Sequence, residues 1–518
     1  MQLVRSIITV SSFTVLSRIL GFVRDILIAS ILGAGPVADA FFVAFRFPNF
    51  FRRLFAEGAF NAAFVPTFSR LLVRESQSAA CLCASQIYSM LTFILIALVV
   101  FVEITIPWLM YVIAPGFSET PERFEMTVYF TRITFPYILL ISIAALFTGI
   151  LNSLHRFAVG AAAPVILNIT MIFALVFFAT QLPTPGHAIA WAVTLAGIGQ
   201  LAWVRFETRR SCIQIQLNFP RLTEPVRRLM SLMLPASLAA GVVQVNMLIG
   251  TIFLSYLPAG AISYIVYADR LIQLPLSLVG VAISTALLPA LSQQLELGKK
   301  VDARQTQNRS LEFSFFLIFP ATFALFFLAE PMICTLFERG KFTRTETIAT
   351  AQCLAAFSIG LPAYVMVKVF ATTFFAHHNT KIPLHAAVLA VIANVILNFI
   401  LFFPLGYVGI ALATALASWV NAGWLIYQLA NSKLLLPDRR LYQRLPRFLA
   451  SCLVMVAVVS ACSYFFAIME QTSELSRFLS LIGLILIGFA AYVFGAYLMQ
   501  ALDFREIKEN LRLRVEVE

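Results

Sequence analysis

The stretch SRILGFVRD, residues 17–25, places three charged side chains inside an apolar run that extends from Ile7 to Ile31. A run of this length can cross the hydrocarbon core of a bilayer as a helix. Its fourteen Ile, Leu, Val and Phe residues favour insertion by about 6 kcal/mol in total. Three central charges oppose insertion by about 9 kcal/mol, so we expect them to face protein or water, and not lipid.

Composition places the whole chain among polytopic membrane proteins. Of its 518 residues, 60% are hydrophobic and 12% are charged, with a mean hydropathy of +0.89. Soluble domains carry about a quarter charged residues. No small-residue cleavage site follows the first apolar stretch, so we expect no cleaved signal peptide. The seven cysteines are scattered through spans and flanks, and we expect them to be unpaired apolar side chains.

Apolar segments along the chain predict an all-α protein with fourteen transmembrane helices. We place them at residues 6–31, 38–72, 84–112, 127–150, 158–180, 187–206, 227–256, 262–293, 310–333, 347–375, 383–403, 407–430, 446–468 and 478–501. The second is too long for a simple span and contains Pro48 and Pro66, so we expect it to be bent or broken.

The positive charges in the loops predict the topology, because cytoplasmic loops carry an excess of Lys and Arg. Of the 37 Lys and Arg residues, 24 lie in one set of alternate loops together with both termini, and five lie in the other set. These five are Arg123, Arg339, Lys341, Arg344 and Arg477. Both termini are therefore predicted to be cytoplasmic. The net charge of +12 follows from topology and from attraction to anionic headgroups, and nucleic acid is not needed to explain it.

The chain resembles itself at a fixed offset along the sequence, which we call the repeat offset. PTFSRLL at 66–72 falls on PALSQQL at 289–295, and LHRF at 154–157 falls on HHNT at 377–380. These matches predict two six-helix halves that form a transporter-like cleft, followed by an extra pair of helices. The predicted divisions are an N-terminal lobe at 1–220, a C-terminal lobe at 221–432, and helices 13 and 14 with the tail at 433–518.

The charges of helix 1 are predicted to lie on one broad, small and polar side. Arg18, Gly21 and Asp25 share one face, because they are spaced at i, i+3 and i+7. Ser17 and Arg24 lie beside that face. We expect this side of the helix to line the cleft.

Helix 2 repeats this pattern in DAFFVAFRFPNFFRRLFAEGAFNAAFVP, residues 39–66. Its candidate residues on the polar side are Asp39, Arg46, Asn49, Arg52, Arg53 and Glu57. Asp39, Arg46 and Arg53 recur every seven residues and therefore stack on one face. Pro48 leaves the carbonyl of Ala44 without its helical partner, which is tolerable only where protein or water lines the helix.

The remaining candidates lie in helices 4, 8 and 10. They are Ser263, Asp269 and Arg270 in helix 8, Lys368 in helix 10 and Arg132 in helix 4. Together the spans hold eight cations against four acids, or five with Glu103. Because arginine binds planar oxyanions through a rigid fork, the excess predicts an anionic substrate such as a phosphate.

A structural role is the alternative for several of these charges. Arg24–Asp25 and Asp269–Arg270 alternatively bridge helices, and Arg53–Glu57 alternatively forms a pair within one helix. Arg132 alternatively reaches the membrane interface. We expect no metal site and no enzyme activity, because the chain shows no P-loop, no nucleophile motif and no loop cluster of carboxylates.

SRILGFVRD, the helix-2 segment and YADRLIQLPLSLVGVAISTALLPALS (267–292) resemble signatures of the MurJ (MviN) family of lipid II flippases, in the MOP exporter superfamily. The resemblance runs from residue 1 to about 500. It implies two lobes in a V, a groove for a lipid tail at helices 13 and 14, and lipid II as cargo. Its functional arginines match Arg18, Arg24, Arg52 and Arg270, with Asp39, Glu57 and Ser263 as further cavity residues.

The resemblance also implies a multi-pass protein of the bacterial cytoplasmic membrane that works as a monomer by alternating access, in contact with membrane lipids and with the cell-wall synthesis machinery. In it Ser17, Gly21, Asp25, Pro48 and Asp269 have structural or gating roles. A flippase for another polyprenyl-linked glycan remains open as an alternative. A cation-coupled drug exporter is disfavoured, because its cavity would hold acids in excess.

Some members of the resembled family bind sodium through carboxylates, including one in helix 7. Helix 7 here has no acid, only Gln244 and Asn246, although Asn394 and Asn398 offer oxygens elsewhere. A monovalent ion, sodium or chloride, is therefore an open question. Drive by membrane potential is the simpler expectation.

Overall fold

A computed structural model describes residues 2–55, 59–432, 434, 437–469 and 473–501. Within these residues the chain forms helices and no strands. The α-helices are α1 Gln2–Leu32, α2 Pro36–Phe55, α3 Ala59–Arg74, α4 Gln77–Ile113, α5 Pro121–Thr134, α6 Tyr137–Ser153, α7 Phe157–Phe178, α8 Pro185–Arg210, α9 Glu224–Ser255, α10 Ala261–Glu296, α11 Lys300–Phe327, α12 Ala329–Phe337, α13 Arg344–Ser358, α14 Leu361–Ala376, α15 Lys381–Asn431, α16 Arg439–Met469 and α17 Glu474–Leu498. A short 3-10 helix, Pro115–Glu119, precedes α5.

The fourteen predicted helices map onto these elements in chain order, and three of them are corrected because each is divided in two. Helix 4 is α5 and α6, helix 9 is α11 and α12, and helix 10 is α13 and α14, while helix 2 covers α2 and α3. Helices 11 and 12 run together in α15 across a kink at Gly406, whose φ is 54°. Ten helical segments in the described part of the chain are long and apolar enough to cross a membrane.

Prolines explain two of the unpredicted breaks. Pro331 lies four residues after Phe327, where α11 ends, and Pro362 lies four residues after Ser358, where α13 ends. A proline has no N–H for the carbonyl four residues earlier, and its ring clashes with that carbonyl. Pro48, by contrast, lies within the continuous α2.

The internal repeat recurs in the bounds of the helices. The repeat offset carries α5 and α6 onto 344–357 and 360–376, close to the observed α13 and α14. The same offset carries α4 onto α11 with α12, and α1 onto α9. His155 and His378, which are equivalent in the repeat, both take a left-handed conformation, with φ of 59° and 56°. The two halves therefore share their helix ends and turns.

The chain divides into two compact units. Unit 1 comprises 1–263 and 339–346, and unit 2 comprises 264–338 and 347–518. In unit 1, α7 packs on α1 and α8, and α9 packs on α2, α3 and α4. In unit 2, α11 packs on α14 and α16, and α16 packs on α17. The divisions predicted at 220 and 432 follow the repeat and stay predictions.

The core of unit 1 is built from aromatic and branched side chains of α3, α4 and α6. Phe64, Phe68, Leu146 and Ile150 are all almost fully buried there. Phe64 and Phe68 stack along α3 with ring centroids 5.7 Å apart. This apolar packing fixes α3 against α4 and α6.

The loop segment 339–346 packs against the α1–α2 turn within unit 1. Its Lys341 N–H donates to the Ser30 carbonyl at 2.8 Å. Glu346 accepts the N–H of Thr343 at 2.6 Å and, through its other oxygen, the N–H of Ala34 at 3.0 Å. The first of these bonds is half of a capping box at the start of α13. Glu346 therefore caps the start of α13 and also binds the α1–α2 turn within unit 1.

Two glycines permit this close packing. Gly33 and Gly340 have φ of +70° and +60°, which side chains rarely adopt. A Cβ at Gly33 would lie 2.8 Å from the Lys341 carbonyl oxygen, and a Cβ at Gly340 would collide with the Ser30 carbonyl. Glycine is therefore required on both sides of the contact.

We expect Glu346→Gln to lower the free energy of unfolding by about 1–2 kcal/mol, because a neutral amide has one acceptor for two N–H donors. Thermal unfolding of the detergent-solubilised protein measures the effect. Glu125→Gln, an exposed substitution on α5, is the matched control. Equal melting temperatures for the two variants would contradict the proposed double role of Glu346.

Candidate functional site

Arg24 is held in place inside the α1 span. Only 8% of the residue is exposed. Its Nε and Nη2 donate to one Asp25 oxygen at 3.0 and 2.7 Å, and its Nη1 donates to Asn168 Oδ1 on α7 at 2.8 Å. The Asn168 amide in turn donates to the Ser17 carbonyl at 2.9 Å. This network gives the guanidinium one fixed orientation and offsets its charge with an adjacent carboxylate.

Arg18 lies in a different environment from Arg24. Arg18 is exposed, whereas Ser17 and Gly21 are half-buried. An added Cβ at Gly21 would lie 3.5 Å from the Asn168 amide nitrogen, an ordinary contact distance. The polar side predicted for α1 is therefore partly a packing surface against α7 and partly open at Arg18.

Two arginines of α2 donate to neutral oxygens. Arg46 Nη1 donates to the Thr251 hydroxyl of α9 at 2.8 Å. Arg52 Nε donates to Asn49 Oδ1 at 3.1 Å, and the Asn49 amide donates to the Phe45 carbonyl at 2.8 Å. Both arginines are half-buried. These bonds contribute to the orientation of the guanidinium groups.

The backbone group freed by Pro48 is satisfied by protein. The carbonyl of Ala44 accepts the Thr134 hydroxyl of α5 at 3.3 Å. Pro48 itself is buried. This point of α2 therefore faces a neighbouring helix, one of the two surroundings that the sequence predicted for it.

The carboxylate of Asp39 is fully buried in unit 1 and binds Arg123, Gly260 and Ser263; we call this set of contacts the Asp39 tie. One oxygen accepts Arg123 Nη2 at 2.6 Å and the Gly260 N–H at 2.7 Å. The other accepts the Ser263 N–H at 2.8 Å and the Ser263 hydroxyl at 2.6 Å. Arg123 also lies over the Phe117 ring, 3.7 Å from its centroid. One carboxylate thus joins α2, α5 and the turn before α10.

This geometry corrects one sequence prediction, the placement of Arg123. Asp39 and Ser263 were expected to line a cavity; both are fully buried in this structure and hydrogen bonded to each other, and that expectation stays a prediction. Arg123 was expected in an outside loop. It is 5% exposed and lies in the first turn of α5, which starts at Pro121. The observed roles of all three are in the tie.

Three further candidates, Asp269, Arg270 and Lys368, lie in unit 2. Asp269 and Arg270 are half-buried on α10, and the amide of Gln273 donates to the Asp269 carboxylate. Lys368 is exposed on α14.

Two candidates of helix 2 are not described. Arg53 lies on α2, with its side chain outside the described part of the structure, and Glu57 lies outside the described residues.

Arg132 is exposed at the end of α5, near Glu103 of α4. The predicted alternative, in which Arg132 reaches the membrane interface, stays a prediction.

Three contacting residues were missed from the sequence. Arg123, Asn168 and Thr251 each bind a predicted site residue. The Pro121–Glu122 pair is a helix-start signal that would have placed Arg123 inside a helix. A single amide or hydroxyl within an apolar span, such as Asn168 or Thr251, gives no comparable signal.

The family model described as "Lipid II flippase MurJ" matches residues 28–496. A protein of Rhizobium tropici described as "Probable lipid II flippase MurJ" is 41% identical over 518 residues, covering 99% of this chain and 97% of its own. The chain belongs to the MurJ family. The prediction made from the helix-1, helix-2 and helix-8 motifs is confirmed.

Solved structures agree with this family. A structure described as "Lipid II flippase MurJ, inward closed conformation" has a TM-score of 0.79 and 27% identity, covering 96% of this chain and 99% of that one. An inward-facing MATE multidrug transporter of the MOP superfamily shares the fold, with a TM-score of 0.66 and 15% identity over 82% of this chain and 98% of its own. The predicted MurJ-like and MATE-like fold class of this multi-pass membrane protein is confirmed.

We expect Asp39→Asn to lower the free energy of unfolding by about 3–5 kcal/mol, because Arg123 is left buried without its counter-charge. Thermal unfolding in detergent measures this, with the exposed Asp302→Asn as control. Adding Arg123→Gln to Asp39→Asn should cost less than the two single losses combined, because the variants share one interaction. Strictly additive losses would refute the tie.

Proposed function

We propose that this chain flips lipid II from the inner to the outer leaflet of the bacterial cytoplasmic membrane. The observation that carries the proposal is its full-length relationship to proteins described as lipid II flippases. The chemistry of the spans supports it, since the arginines that match the family pattern lie on α1, α2 and α10. A pyrophosphate is the kind of oxyanion that such guanidinium groups bind.

The proposed mechanism is alternating access. Arg18, Arg24, Arg52 and Arg270 bind the pyrophosphate while the polyprenyl tail stays in lipid. Arg24 is suited to this task, because Asp25 and Asn168 already fix its orientation and little freedom is lost on binding. No covalent bond of the cargo changes, so the step is transport and not catalysis.

The Asp39 tie has a natural place in this cycle. Gly260 and Ser263 lie around the start of α10, and Asp39 lies in the first turn of α2. Both positions belong to the face that the charge rule predicts to be extracytoplasmic. We infer that release to that face requires the tie to break. Four hydrogen bonds to one carboxylate make it a discrete contact, either formed or lost.

Topology and partners form part of the same proposal. The loop charges favour cytoplasmic termini, and a monomer in contact with membrane lipids suffices for the mechanism. Contact with the cell-wall synthesis machinery is a further expectation. Another polyprenyl-linked glycan is the alternative cargo, which would leave lipid II flipping unchanged when this protein is depleted.

A sodium site of the carboxylate type does not fit the residues present. Asn398 donates to Asn394 Oδ1 at 2.9 Å, and Asn394 lies 3.4 Å from the Thr414 hydroxyl. No described group of three His, Cys, Asp or Glu side chains is arranged to hold a metal ion. The buried Asn398 Oδ1 lacks a hydrogen-bond partner, but one neutral oxygen does not replace a carboxylate. We therefore propose drive by membrane potential.

Arg24→Ala and Arg270→Ala should each abolish growth in a strain depleted of the native flippase, with protein levels unchanged. Arg24→Lys should restore growth only in part, because an ammonium lacks the fork that reaches Asp25 and Asn168 together. Outer-leaflet accessibility of lipid II is the direct measurement. Arg209→Ala, an exposed substitution at the end of α8, is the control. Normal flipping by both alanine variants would refute the arginine site.

Replacing sodium by potassium should leave lipid II flipping within about twofold, whereas collapsing the membrane potential should reduce it at least tenfold, since a potential of 100 mV acts on each moved charge with about 2.3 kcal/mol. Flipping in vesicles with a set potential measures both. A strict sodium requirement would show that the neutral amide cluster is a working ion site.

A further inference from the structure

Lys368 is an unusual cation within unit 2. It is the eighth of the sixteen residues of α14 and lies within the candidate membrane span Arg344–Ala376. No ion pair joins it to an acidic side chain in the described part of the chain. The acid on the neighbouring α10, Asp269, accepts a hydrogen bond from Gln273. An ammonium in such a position is costly unless an anion visits it.

The ammonium of Lys368 lies against the backbone of α10 at Gly280, and we call this position its seat. A Cβ at Gly280 would collide with Lys368 Nζ and would lie 3.2 Å from its Cε. The end of the lysine therefore rests on the backbone of α10, a different helix from its own. This placement argues against a lysine that merely extends along α14 to the membrane interface.

The fold itself does not require a charge at this position. The residue one repeat earlier, in the equivalent helix α6, is Ala145. Both helices have nearly the same bounds relative to the repeat. The equivalent helix forms with alanine at this position, so the lysine is not needed for the helix, which indicates a role in binding.

The spacing along α10 separates this site from the pyrophosphate. Gly280 follows Arg270 by ten residues, which is about 15 Å along a helix. The two phosphates of a pyrophosphate are much closer together than that. If Arg270 binds the pyrophosphate, Lys368 contacts another anionic group of the same cargo.

We propose that Lys368, seated on Gly280, binds a carboxylate of the peptide part of the cargo. This inference rests on the proposed function and deepens it. A single compact ammonium suits one carboxylate, whereas a phosphate is better served by the arginine fork. Lys368 then distinguishes cargo with a peptide from cargo without one.

The test compares the affinity of the purified full-length protein for lipid II and for undecaprenyl pyrophosphate, which has no carboxylate. Lys368→Met should weaken binding of lipid II about tenfold, the size of one charge-assisted hydrogen bond, and leave binding of undecaprenyl pyrophosphate unchanged. Arg270→Ala should weaken binding of both lipids. Melting temperatures show that each variant is folded.

Glycine variants test the seat without removing the charge. Gly280→Ala should reproduce the selective loss, because its methyl group displaces the ammonium, and should add nothing to Lys368→Met. Gly423→Ala on α15 is the matched control, since a Cβ there meets open space.

Two results would overturn the inference. An equal loss for both lipids in Lys368→Met would assign the lysine to the pyrophosphate, and no loss for either lipid would remove it from the site. Failure of the unchanged protein to bind either lipid would instead refute the proposed function, and this inference with it.

Discussion

A charge inside a membrane span must be given partners by the protein or by a ligand, and this constraint organises the described polar residues. Arg24 binds Asp25 and Asn168. Asp39 binds Arg123 and Ser263. In each case a buried ion pair is supplemented by hydrogen bonds to neighbouring neutral groups. The pairs therefore fix the relation of α1 to α7 and of α2 to α5. Apolar packing alone would leave the rotation of these helices less defined.

The two halves of the internal repeat form the same helix-to-turn contact with different side chains. Arg123 and Glu346 are equivalent in the repeat, and each lies in the first turn of its helix. Arg123 Nη1 lies 3.4 Å from the Leu257 carbonyl, while Glu346 accepts the N–H of Ala34. Leu257 and Ala34 are separated by the same repeat offset. Equivalent side chains of opposite charge thus bind equivalent turns, one by donating and the other by accepting.

The sequence predicted an all-α membrane protein, the order of its helices, the repeat and the family, because apolar length and turn chemistry are local properties. It did not predict the breaks at Phe327 and Ser358, although the following prolines contain the information. It also placed Arg123 in a loop and did not predict that Arg123 binds Asp39. Which acid binds which arginine depends on how helices meet in three dimensions, and spacing along one helix does not determine that.

The repeat also separates what the fold needs from what the ligand needs. Helix ends and turns recur at the repeat offset, but the charges in the spans do not. Arg24 corresponds to Met247, and Arg46 corresponds to Asp269. A fold that forms with either residue type at equivalent places does not by itself demand the arginines. An asymmetric distribution of charge is what an asymmetric anionic cargo would select.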